Sequence, residues 1–289
     1  MKITNKLNLP QPIVDAVSGH EYTGKTDALS VTTLINPVRQ YMLRRRHADD
    51  LTEDVSDRIY ALMGSAIHAV LEKSDRLAIK EKRLSAEING MTITGQFDRL
   101  ALISTNGGIA GQLQDYKIAS VWEAIYGLKP DKVQQLNLYA LLCAENEYKV
   151  NSLQIVMIFR DWQKSKSKHD SQYPQGQVKI FQVELWPLEK QLAFATGRVK
   201  TFQACINNDV LPECTSEERW HTPDKWAVMK PGRKTALRLL PSEILANQYI
   251  DQKELTKCVV EKRPGANKRC DDYCDVAPFC EQYKREVGE

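Results

Sequence analysis

The feature that most constrains this chain is a strand-like run, residues 112 to 119, that contains Asp115, Tyr116 and Lys117. Because residues two apart on a strand point to the same face, Asp115 and Lys117 can reach one site together. Tyr116 points away from that site and offers it a backbone carbonyl. The pattern therefore predicts a carboxylate and an ammonium group side by side on one strand.

A second strand is predicted over residues 92 to 104, and it carries Asp98 seventeen residues before Asp115. Asn106-Gly107-Gly108, which follows it, is a hairpin signal, so the two strands are expected to be adjacent. Two carboxylates can bind a hard cation such as Mg²⁺. A lysine beside them supplies a point charge, or a base of lowered pKa, next to an attacking water. The two strands indicate metal-dependent phosphodiester hydrolysis, although Asp-x-Lys by itself arises often by chance.

Two predicted helices flank the strands. An amphipathic helix over residues 49 to 76 carries His68, and a helix over residues 133 to 147 carries Gln135 and Tyr139 four apart on one face. Taken singly, His68 is best explained as a satisfied core residue. Gln135 and Tyr139, taken singly, are best explained as helix surface and helix core.

Together the four patterns resemble, in order and in spacing, the RecB-like branch of the PD-(D/E)XK nuclease superfamily. That branch includes phage-type and CRISPR-associated-type exonucleases. The GxxxH helix of the family matches Gly64 to His68, and its acidic strand matches Gly95 to Asp98. Its D-x-K strand matches Asp115 to Lys117, and its QxxxY helix matches Gln135 to Tyr139. The matched stretch is about a quarter of the chain. Each motif is short, but four in this order are fairly specific.

The resemblance implies a role for each matched residue. The metal ligands that it implies, for Mg²⁺ or Mn²⁺, are His68, Asp98, Asp115 and the carbonyl of Tyr116. The catalytic set that it implies comprises Asp98, Asp115, Lys117, Gln135 and Tyr139. Within this set, Lys117 would activate or position the water, while Gln135 and Tyr139 would hold the lysine or a DNA phosphate.

Three of the seven cysteines, Cys270, Cys274 and Cys280, lie within the last twenty residues. Thiolates crowded into a polar terminal loop are typical of a metal-nucleated segment, because such a loop has too little apolar surface to fold alone. The resemblance implies a four-cysteine [4Fe–4S] cluster, and four cysteines also suit structural Zn²⁺. The alternative is three reduced thiols that bind nothing.

In the family pattern, the first of the four cysteines precedes the GxxxH helix. This chain departs from that pattern, because it has no cysteine before Cys143, and its fourth thiolate must come from elsewhere. Cys143 and Cys205 lie in apolar helical patterns and are expected to be buried thiols. Cys214 lies in a predicted loop, whereas Cys258 lies in a strand-like stretch. The loop position favours Cys214 as the fourth ligand and leaves Cys258 as the alternative.

The order of the predicted elements is helix, two strands, helix and strand, which is the α-β-β-α-β order of a restriction-endonuclease-like core. We therefore expect an α/β protein with a central mixed sheet flanked by helices and a C-terminal cysteine-containing subdomain. Residues 1–210 would form the nuclease core with its N-terminal helices, and residues 211–289 the cysteine-bearing satellite. The other predicted elements are helices over residues 30 to 46, 188 to 206 and 242 to 255, strands over 152 to 160 and 178 to 186, and a polar loop over 161 to 176.

The formal net charge is only +3, so no global basic field indicates nucleic acid. The basic residues are grouped, however. A charge run is usually a solvated face, but beside a phosphodiesterase pattern three groups are expected to contact DNA phosphates. They are Arg44, Arg45 and Arg46; Lys164, Lys166 and Lys168; and Lys230, Arg233 and Lys234.

The predicted compartment is the cytoplasm of a bacterial or phage-infected cell. The N-terminus lacks an apolar signal region, and no stretch approaches the ~20 apolar residues of a membrane span. An odd number of cysteines, seven, without a secretory signal argues against a disulfide framework.

The patterns indicate a metal-dependent nuclease, and the resemblance implies that it acts on DNA as a phage-encoded exonuclease of recombination or repair. A recombination or helicase protein is the expected partner. The alternative from another class is a nucleic-acid-binding module with a structural zinc segment and no catalysis. A third interpretation, an interaction subunit with a degenerate nuclease core, is disfavoured by the intact Asp98, Asp115 and Lys117.

Overall fold

The computed structural model describes residues 2–18, 28–74, 77–105 and 108–288. Contacts divide the chain into two compact units, one of residues 1–42 and 48–211 and one of residues 43–47 and 212–289. The predicted assignment of residues 1–210 to a nuclease core and 211–289 to a satellite stays a prediction. Within the described part of the chain, no helix is both long and apolar enough to cross a membrane.

The first unit is built around a central sheet with helices on it. Its elements are β1 (Lys2–Thr4), α1 (Gln11–Ser18), β2 (Leu29–Ser30), α2 (Val31–Ile35), α3 (Val38–Arg46, the end of which belongs to the second unit), β3 (Thr52–Asp54), α4 (Ile59–Ser74), β4 (Ile79–Ile88), β5 (Met91–Thr105), β6 (Gly108–Ala119), α5 (Val121–Tyr126), α6 (Pro130–Glu145), β7 (Ser152–Phe159), α7 (Lys164–His169), β8 (Val178–Val183) and α8 (Leu188–Asn208).

The central sheet has six strands in the order β2-β5-β6-β7-β8, with β4 paired to β5 as well. The pairs β4–β5, β5–β6 and β7–β8 are antiparallel, whereas β2–β5 and β6–β7 are parallel. The predicted fold class, a mixed sheet flanked by helices, is confirmed. The predicted hairpin is confirmed in its strands, since Thr105 pairs with Gly108, while Asn106 and Gly107 lie outside the described residues.

The core lies where α2, α6 and α8 pack on one another and on the strands. Every residue of α6 from Leu136 to Cys143 is buried. These side chains meet apolar strand residues such as Leu113, Ile155 and Phe159, each with at most 1% of its surface exposed. Because the whole stretch from Leu136 to Cys143 is buried and α6 packs on β4, β5 and β6, this helix helps to fix the position of the strands that carry the candidate site.

Two helix predictions were wrong in their bounds. The helix predicted over residues 30 to 46 is split into α2 and α3 at Asn36-Pro37, because proline disfavours helical backbone at the residue before it and Asn36 is extended, with ψ of 162°. The helix predicted to begin at residue 49 begins at Ile59. Residues 52–54 pair instead with β1 as a parallel strand, and a 3-10 turn, Val55–Arg58, follows them.

Several elements of the first unit were not predicted, among them a long strand and a short helix. The strand β4 pairs with β5 from Ile79 to Ile88, and the loop predicted over residues 161 to 176 contains the short helix α7. The strand was missed because its sequence, IKEKRLSAEI, places charged residues on both faces and shows little alternation. With β4 and the short helix α5, the observed order from α4 to β7 is α-β-β-β-α-α-β.

The second unit consists of short elements: β9 (His221–Thr222), β10 (Lys225–Met229), β11 (Arg238–Leu240), α9 (Glu243–Gln252), β12 (Val259–Arg263), β13 (Ala266–Asn267), α10 (Lys268–Asp272) and α11 (Glu281–Val287). The strands β11, β10 and β12 form an antiparallel sheet, and β9 pairs with β13. The helix α9, predicted over residues 242 to 255, packs on the three-stranded sheet.

Candidate active site

Three side chains from three different elements bring metal-binding atoms together. The Nδ1 atom of His68 on α4 lies 3.4 Å from Oε1 of Glu81 on β4 and 3.5 Å from Oδ1 of Asp98 on β5. Donor atoms of the three residues all lie within 4.8 Å of one another. One imidazole nitrogen and two carboxylate oxygens are a donor set that Mg²⁺ or Mn²⁺ accepts. The three residues therefore fit a divalent cation.

Glu81 was not predicted from the sequence. Its backbone is left-handed, with φ of +44°, inside a strand. In the β4–β5 ladder, Lys80 pairs with Arg99 and Lys82 with Phe97, so Glu81 lies across from Asp98. A non-glycine residue in this conformation costs roughly 1–3 kcal/mol and is concentrated at functional sites. No motif surrounds Glu81, and only the pairing of β4 with β5 would have revealed it.

Hydrogen bonds orient the two carboxylates of this donor set. The backbone N–H of Tyr116 donates to Oδ2 of Asp98 at 2.6 Å, and Nε2 of Gln96 donates to Oε2 of Glu81 at 2.8 Å. The ring of Tyr116 meets the His68 ring edge-on, with centroids 6.2 Å apart. The Tyr116 carbonyl was the predicted ligand, whereas the contact that the structure provides is from its N–H group.

The donor set carries more negative than positive charge. Burial, and then the charge of Asp115, raises the pKa of Asp98 to about 7. The hydrogen bond with Glu81, and then the charge of Asp98, raises the pKa of His68 against the effect of burial. The charge of Asp115 on Asp98, and that of Asp98 on His68, contribute to the two shifts, and a bound cation would offset this negative charge.

Asp115 and Lys117 form an ion pair on β6, as their spacing predicts. The Nζ atom of Lys117 lies 2.9 Å from Oδ1 and 2.7 Å from Oδ2 of Asp115. Burial alone would lower the pKa of Lys117, but the charges of Asp115 and Asp98 outweigh it and hold that pKa above its usual value. The lysine is therefore an ammonium group at neutral pH.

Behind this pair, Nε2 of Gln135 donates to Oη of Tyr139 at 3.0 Å. Burial, and then the charge of Asp115, raises the pKa of Tyr139 to about 12. The close packing of α6 on β5 depends on Gly95, because a Cβ atom there would lie 2.8 Å from Cε1 of Tyr139 and 2.9 Å from Cδ1 of Leu142. The structure thus brings Gln135 and Tyr139 to the Asp115–Lys117 pair.

An open cavity of about 710 Å³ adjoins the donor set. It is lined by Gly64, Ser65, His68, Ala69, Glu72, Glu81 and Gln96. Small residues of α4 leave this space: nothing lies within 4 Å of the place where a Cβ of Gly64 would be. The cavity gives a ligand access to the donor atoms from the side of α4.

The predicted DNA-contacting residues have different surroundings. In the second unit, Arg44 makes two bonds to Asp275, of 2.6 and 2.9 Å, so its guanidinium is engaged. Neighbouring Arg45 and Arg46 are exposed. The same is true of Lys164, Lys166 and Lys168 on α7 in the first unit, and of Lys230, Arg233 and Lys234 in the second. Their contact with DNA stays a prediction.

Four cysteines of the second unit show different contacts. Burial, and then the charges of Cys274 and Cys280, raises the pKa of Cys270 to about 11. The backbone of Cys214 exchanges two hydrogen bonds with the side-chain amide of Gln282, of 2.8 and 3.0 Å. Among the described residues, the cysteine sulfurs do not form a group of three within 4.8 Å.

Two further cysteines are buried in the first unit, as predicted: Cys143 is 0% and Cys205 6% exposed. Cys258 directly precedes β12, and its thiol contacts the carbonyl of Thr256. The hydrogen bonds of the Cys214 backbone join it to Gln282, two residues after Cys280, and the choice of Cys214 over Cys258 as fourth ligand stays a prediction.

No family model matches the chain, and no curated protein matches its sequence. Several solved structures are similar to it. SSO0001 aligns with a TM-score of 0.46 and 16% identity, over 65% of this chain and 84% of that protein. An alkaline exonuclease, LHK-Exo from Laribacter hongkongensis, aligns with a TM-score of 0.40 and 11% identity, over 68% and 93%. A phage-related exonuclease from Haemophilus somnus 129PT aligns with a TM-score of 0.37 and 13% identity, over 63% and 96%. At these identities the likeness concerns the fold, and membership of a nuclease family stays a prediction.

Proposed function

We propose that the protein hydrolyses phosphodiester bonds in DNA with the help of Mg²⁺ or Mn²⁺. The observation that carries the proposal is the convergence of the His68, Glu81 and Asp98 donor atoms near a lysine that Asp115 keeps charged. Neutral imidazole suits Mn²⁺ better than Mg²⁺. We therefore expect Mn²⁺ to support activity at least as well as Mg²⁺.

Each side chain has a distinct task in this proposal. A cation bound by His68, Glu81 and Asp98 would polarise the phosphate and lower the pKa of an attacking water. The Tyr116 N–H group holds Asp98 in its orientation. Lys117 offers positive charge where negative charge develops on the phosphate.

The remaining residues position this machinery. Asp115 fixes the ammonium group of Lys117 through two short contacts, and the resemblance makes it a metal ligand as well. The Gln135–Tyr139 pair supports the buried side of the site. The roles of Asp115, Gln135 and Tyr139 therefore combine contacts seen here with the expectation from the family.

The biological setting rests on the sequence resemblance. The resemblance implies that the substrate is DNA and that the enzyme is an exonuclease. It also implies that the enzyme acts in recombination or repair and is encoded by a phage. On this resemblance, the chain would act on natural DNA ends or on ends that a recombination or helicase partner supplies.

The test is a nuclease assay with labelled linear and circular DNA, with Mg²⁺, Mn²⁺ or a chelator. We expect cleavage of linear but not circular DNA by the wild-type protein, with either metal. Asp98→Asn, Glu81→Gln and Lys117→Met should each lose at least about a hundredfold in rate. Glu87→Gln is the matched control, because Glu87 is an exposed acid on the same strand as Glu81, and it should cleave at the wild-type rate.

A parallel DNA-binding assay separates the proposal from its alternative. If the wild-type protein binds DNA and cleaves none with either metal, the non-catalytic nucleic-acid-binding module replaces the nuclease. Wild-type rates in Asp98→Asn and Glu81→Gln would overturn the proposed metal site. Circular dichroism of each variant confirms that lost activity is not lost folding.

We further propose that Cys214, Cys270, Cys274 and Cys280 hold one metal centre, a [4Fe–4S] cluster or Zn²⁺. Support comes from the charges of Cys274 and Cys280, which contribute to the raised pKa of Cys270, and from the hydrogen bonds between Cys214 and Gln282. Such a centre would order the short elements around it. Metal analysis and visible absorption of anaerobically purified protein give the readout.

The cysteine variants decide the ligand set. Cys274→Ser and Cys214→Ser should lose metal and become more protease-sensitive near the C-terminus, whereas Cys143→Ser should not lose metal. If Cys258→Ser loses metal while Cys214→Ser keeps its full metal content, the fourth ligand is Cys258 and not Cys214. Wild-type protein without metal, prepared without oxygen or chelator, would rule out the centre.

A further inference from the structure

Helix α5 exposes two large aromatic rings. The Trp122 side chain is 53% and the Tyr126 side chain 82% exposed. Their ring centroids lie 5.9 Å apart with an interplanar angle of 19°, so the rings are stacked. An aromatic pair four residues apart stabilises a helix only slightly, and aromatic rings ordinarily contribute to stability by burial. Stability therefore does not account for two exposed, parallel rings.

The start of α5 is held at the carboxyl end of the strand that carries Lys117. Ser120 alone separates β6 from α5. Asp161 accepts hydrogen bonds from Oγ of Ser120 at 2.6 Å and from the N–H of Val121 at 2.8 Å. Trp122 follows Lys117 by only five residues, and this anchoring keeps the aromatic pair near the candidate site.

A third exposed ring lies on α4. Tyr60 is 63% exposed, and the guanidinium of Arg160 lies 4.5 Å from the centre of its ring. Tyr60 precedes His68 by eight residues on the same helix, which is about 12 Å along the axis. The backbone N–H of Arg160 donates to the carbonyl of Ala119, the last residue of β6. Tyr60 and Arg160 therefore also adjoin the end of the Lys117 strand.

A guanidinium that lies over an aromatic ring keeps its N–H groups in the guanidinium plane, where they can meet a phosphate. Exposed aromatic faces together with arginine are the chemistry by which proteins bind single-stranded nucleic acid. A base inside a duplex is already stacked on both faces and therefore has no free face on which an aromatic side chain could stack. The occupant that fits this surface is thus an unpaired segment of a polynucleotide.

We infer that Trp122, Tyr126 and Tyr60, with Arg160, form a stacking surface for unpaired bases of the DNA strand that enters the site. This inference rests on the proposed function and gives it a substrate class, single-stranded DNA or DNA with a single-stranded end. Blunt duplex would reach the site only after its end has opened. A protein segment or a second copy of this chain are the occupants that the experiment must distinguish.

The test compares two oligomers of equal length and charge, a fluorescent twelve-nucleotide oligothymidine and its abasic counterpart, in the presence of a chelator. Wild-type protein should bind the oligothymidine at least fivefold more tightly. Trp122→Ala and Tyr126→Ala should remove that difference, and Trp122→Phe should retain most of it. Their salt dependence should stay as in the wild type, because the number of phosphate contacts is unchanged.

Ile125→Ala is the matched control, since Ile125 lies on the same helix, is 37% exposed and has no aromatic face. It should bind both oligomers as the wild type does. Equal wild-type affinity for the two oligomers, or wild-type selectivity in Trp122→Ala, would overturn the inference. A concentration-dependent change in mass that Trp122→Ala abolishes, without base selectivity, would assign the surface to a second copy instead.

Hydrolysis of the small diester bis(4-nitrophenyl) phosphate distinguishes this inference from the proposed function. It contains no base, so Trp122→Ala should hydrolyse it at the wild-type rate while Asp98→Asn does not. If the protein hydrolyses the diester in a manner that depends on Asp98 but binds the two oligomers equally, the stacking surface is refuted and the nuclease is not. Base-selective binding by a protein that hydrolyses neither the diester nor DNA refutes the nuclease alone.

Discussion

Neutralising one member of the Asp115–Lys117 pair should destabilise the protein far more than neutralising both. Asp115 is 4% exposed, and Lys117→Met would leave its carboxylate without the ammonium group that now lies 2.7 Å away. Breaking a buried pair costs roughly 3–5 kcal/mol. Because the Lys117 side chain is 27% exposed, water reaches the pair, and we expect a loss of about 3 kcal/mol, at the lower end of that range.

The double variant Asp115→Asn/Lys117→Met should recover most of this loss, because it leaves no uncompensated charge, and should lie within about 1 kcal/mol of the wild type. Urea-induced unfolding of metal-free protein, followed by circular dichroism, gives both values. A double-mutant cycle then yields the coupling energy.

The control is Lys262→Met. Lys262 pairs with Asp224 at 2.6 Å, but the two side chains are 58% and 39% exposed. Such a pair contributes about 0–1 kcal/mol, so this variant should unfold almost as the wild type does. The reasoning is refuted if Lys117→Met is no less stable than Lys262→Met, or if the double variant is no more stable than Lys117→Met.

Three further predictions follow from single contacts. Gly95→Ala should lower the melting temperature by roughly 2–12 °C, because its Cβ would lie 2.8 Å from Cε1 of Tyr139; an unchanged calorimetric transition would contradict this. Mg²⁺ at about a hundredfold its Kd should stabilise the wild-type protein by about 2.7 kcal/mol and Glu81→Gln far less, and equal stabilisation of both would remove Glu81 from the metal site. The Lys6 N–H group, and then the Ser56 hydroxyl, hold the pKa of Asp54 below its usual range, so its contribution is present above about pH 4 and lost as the pH falls further. Asp54→Asn should therefore show a smaller loss of stability on acidification than the wild type, as measured by urea unfolding at a series of pH values.

The parts of the fold that the sequence predicts are those set by local patterns. The β5–β6 hairpin and α6 follow from a turn signal and from helical periodicity. The strand β4 could not be predicted in this way, because charged residues lie on both of its faces and its sequence does not alternate between polar and apolar residues. Its stability comes from pairing with β5. The break between α2 and α3 was available from Pro37, whose effect on the preceding residue is local.

The candidate site divides in the same way. The Asp115–Lys117 contact follows from the two-residue repeat of a strand. Glu81 does not, because only the register of β4 on β5 places it across from Asp98. The surroundings of the arginines at residues 44 to 46 also depend on distant residues. The charge pattern of these arginines is local, but Arg44 binds Asp275, 231 residues away, and no local pattern reveals that partner.

The candidate site joins a tightly packed half to a loosely packed half. Asp115 is 4% and Tyr139 7% exposed, and the residues of α6 around Tyr139 are buried. All residues of α4, which carries His68, are described, and none of them is buried. Elements with few buried contacts open locally at low free energy. A cation shared by His68, Glu81 and Asp98 would bind α4 and β4 to β5 directly. The same ion that polarises the phosphate would then also hold α4 in place over the cavity, which couples the order of the site to its metal.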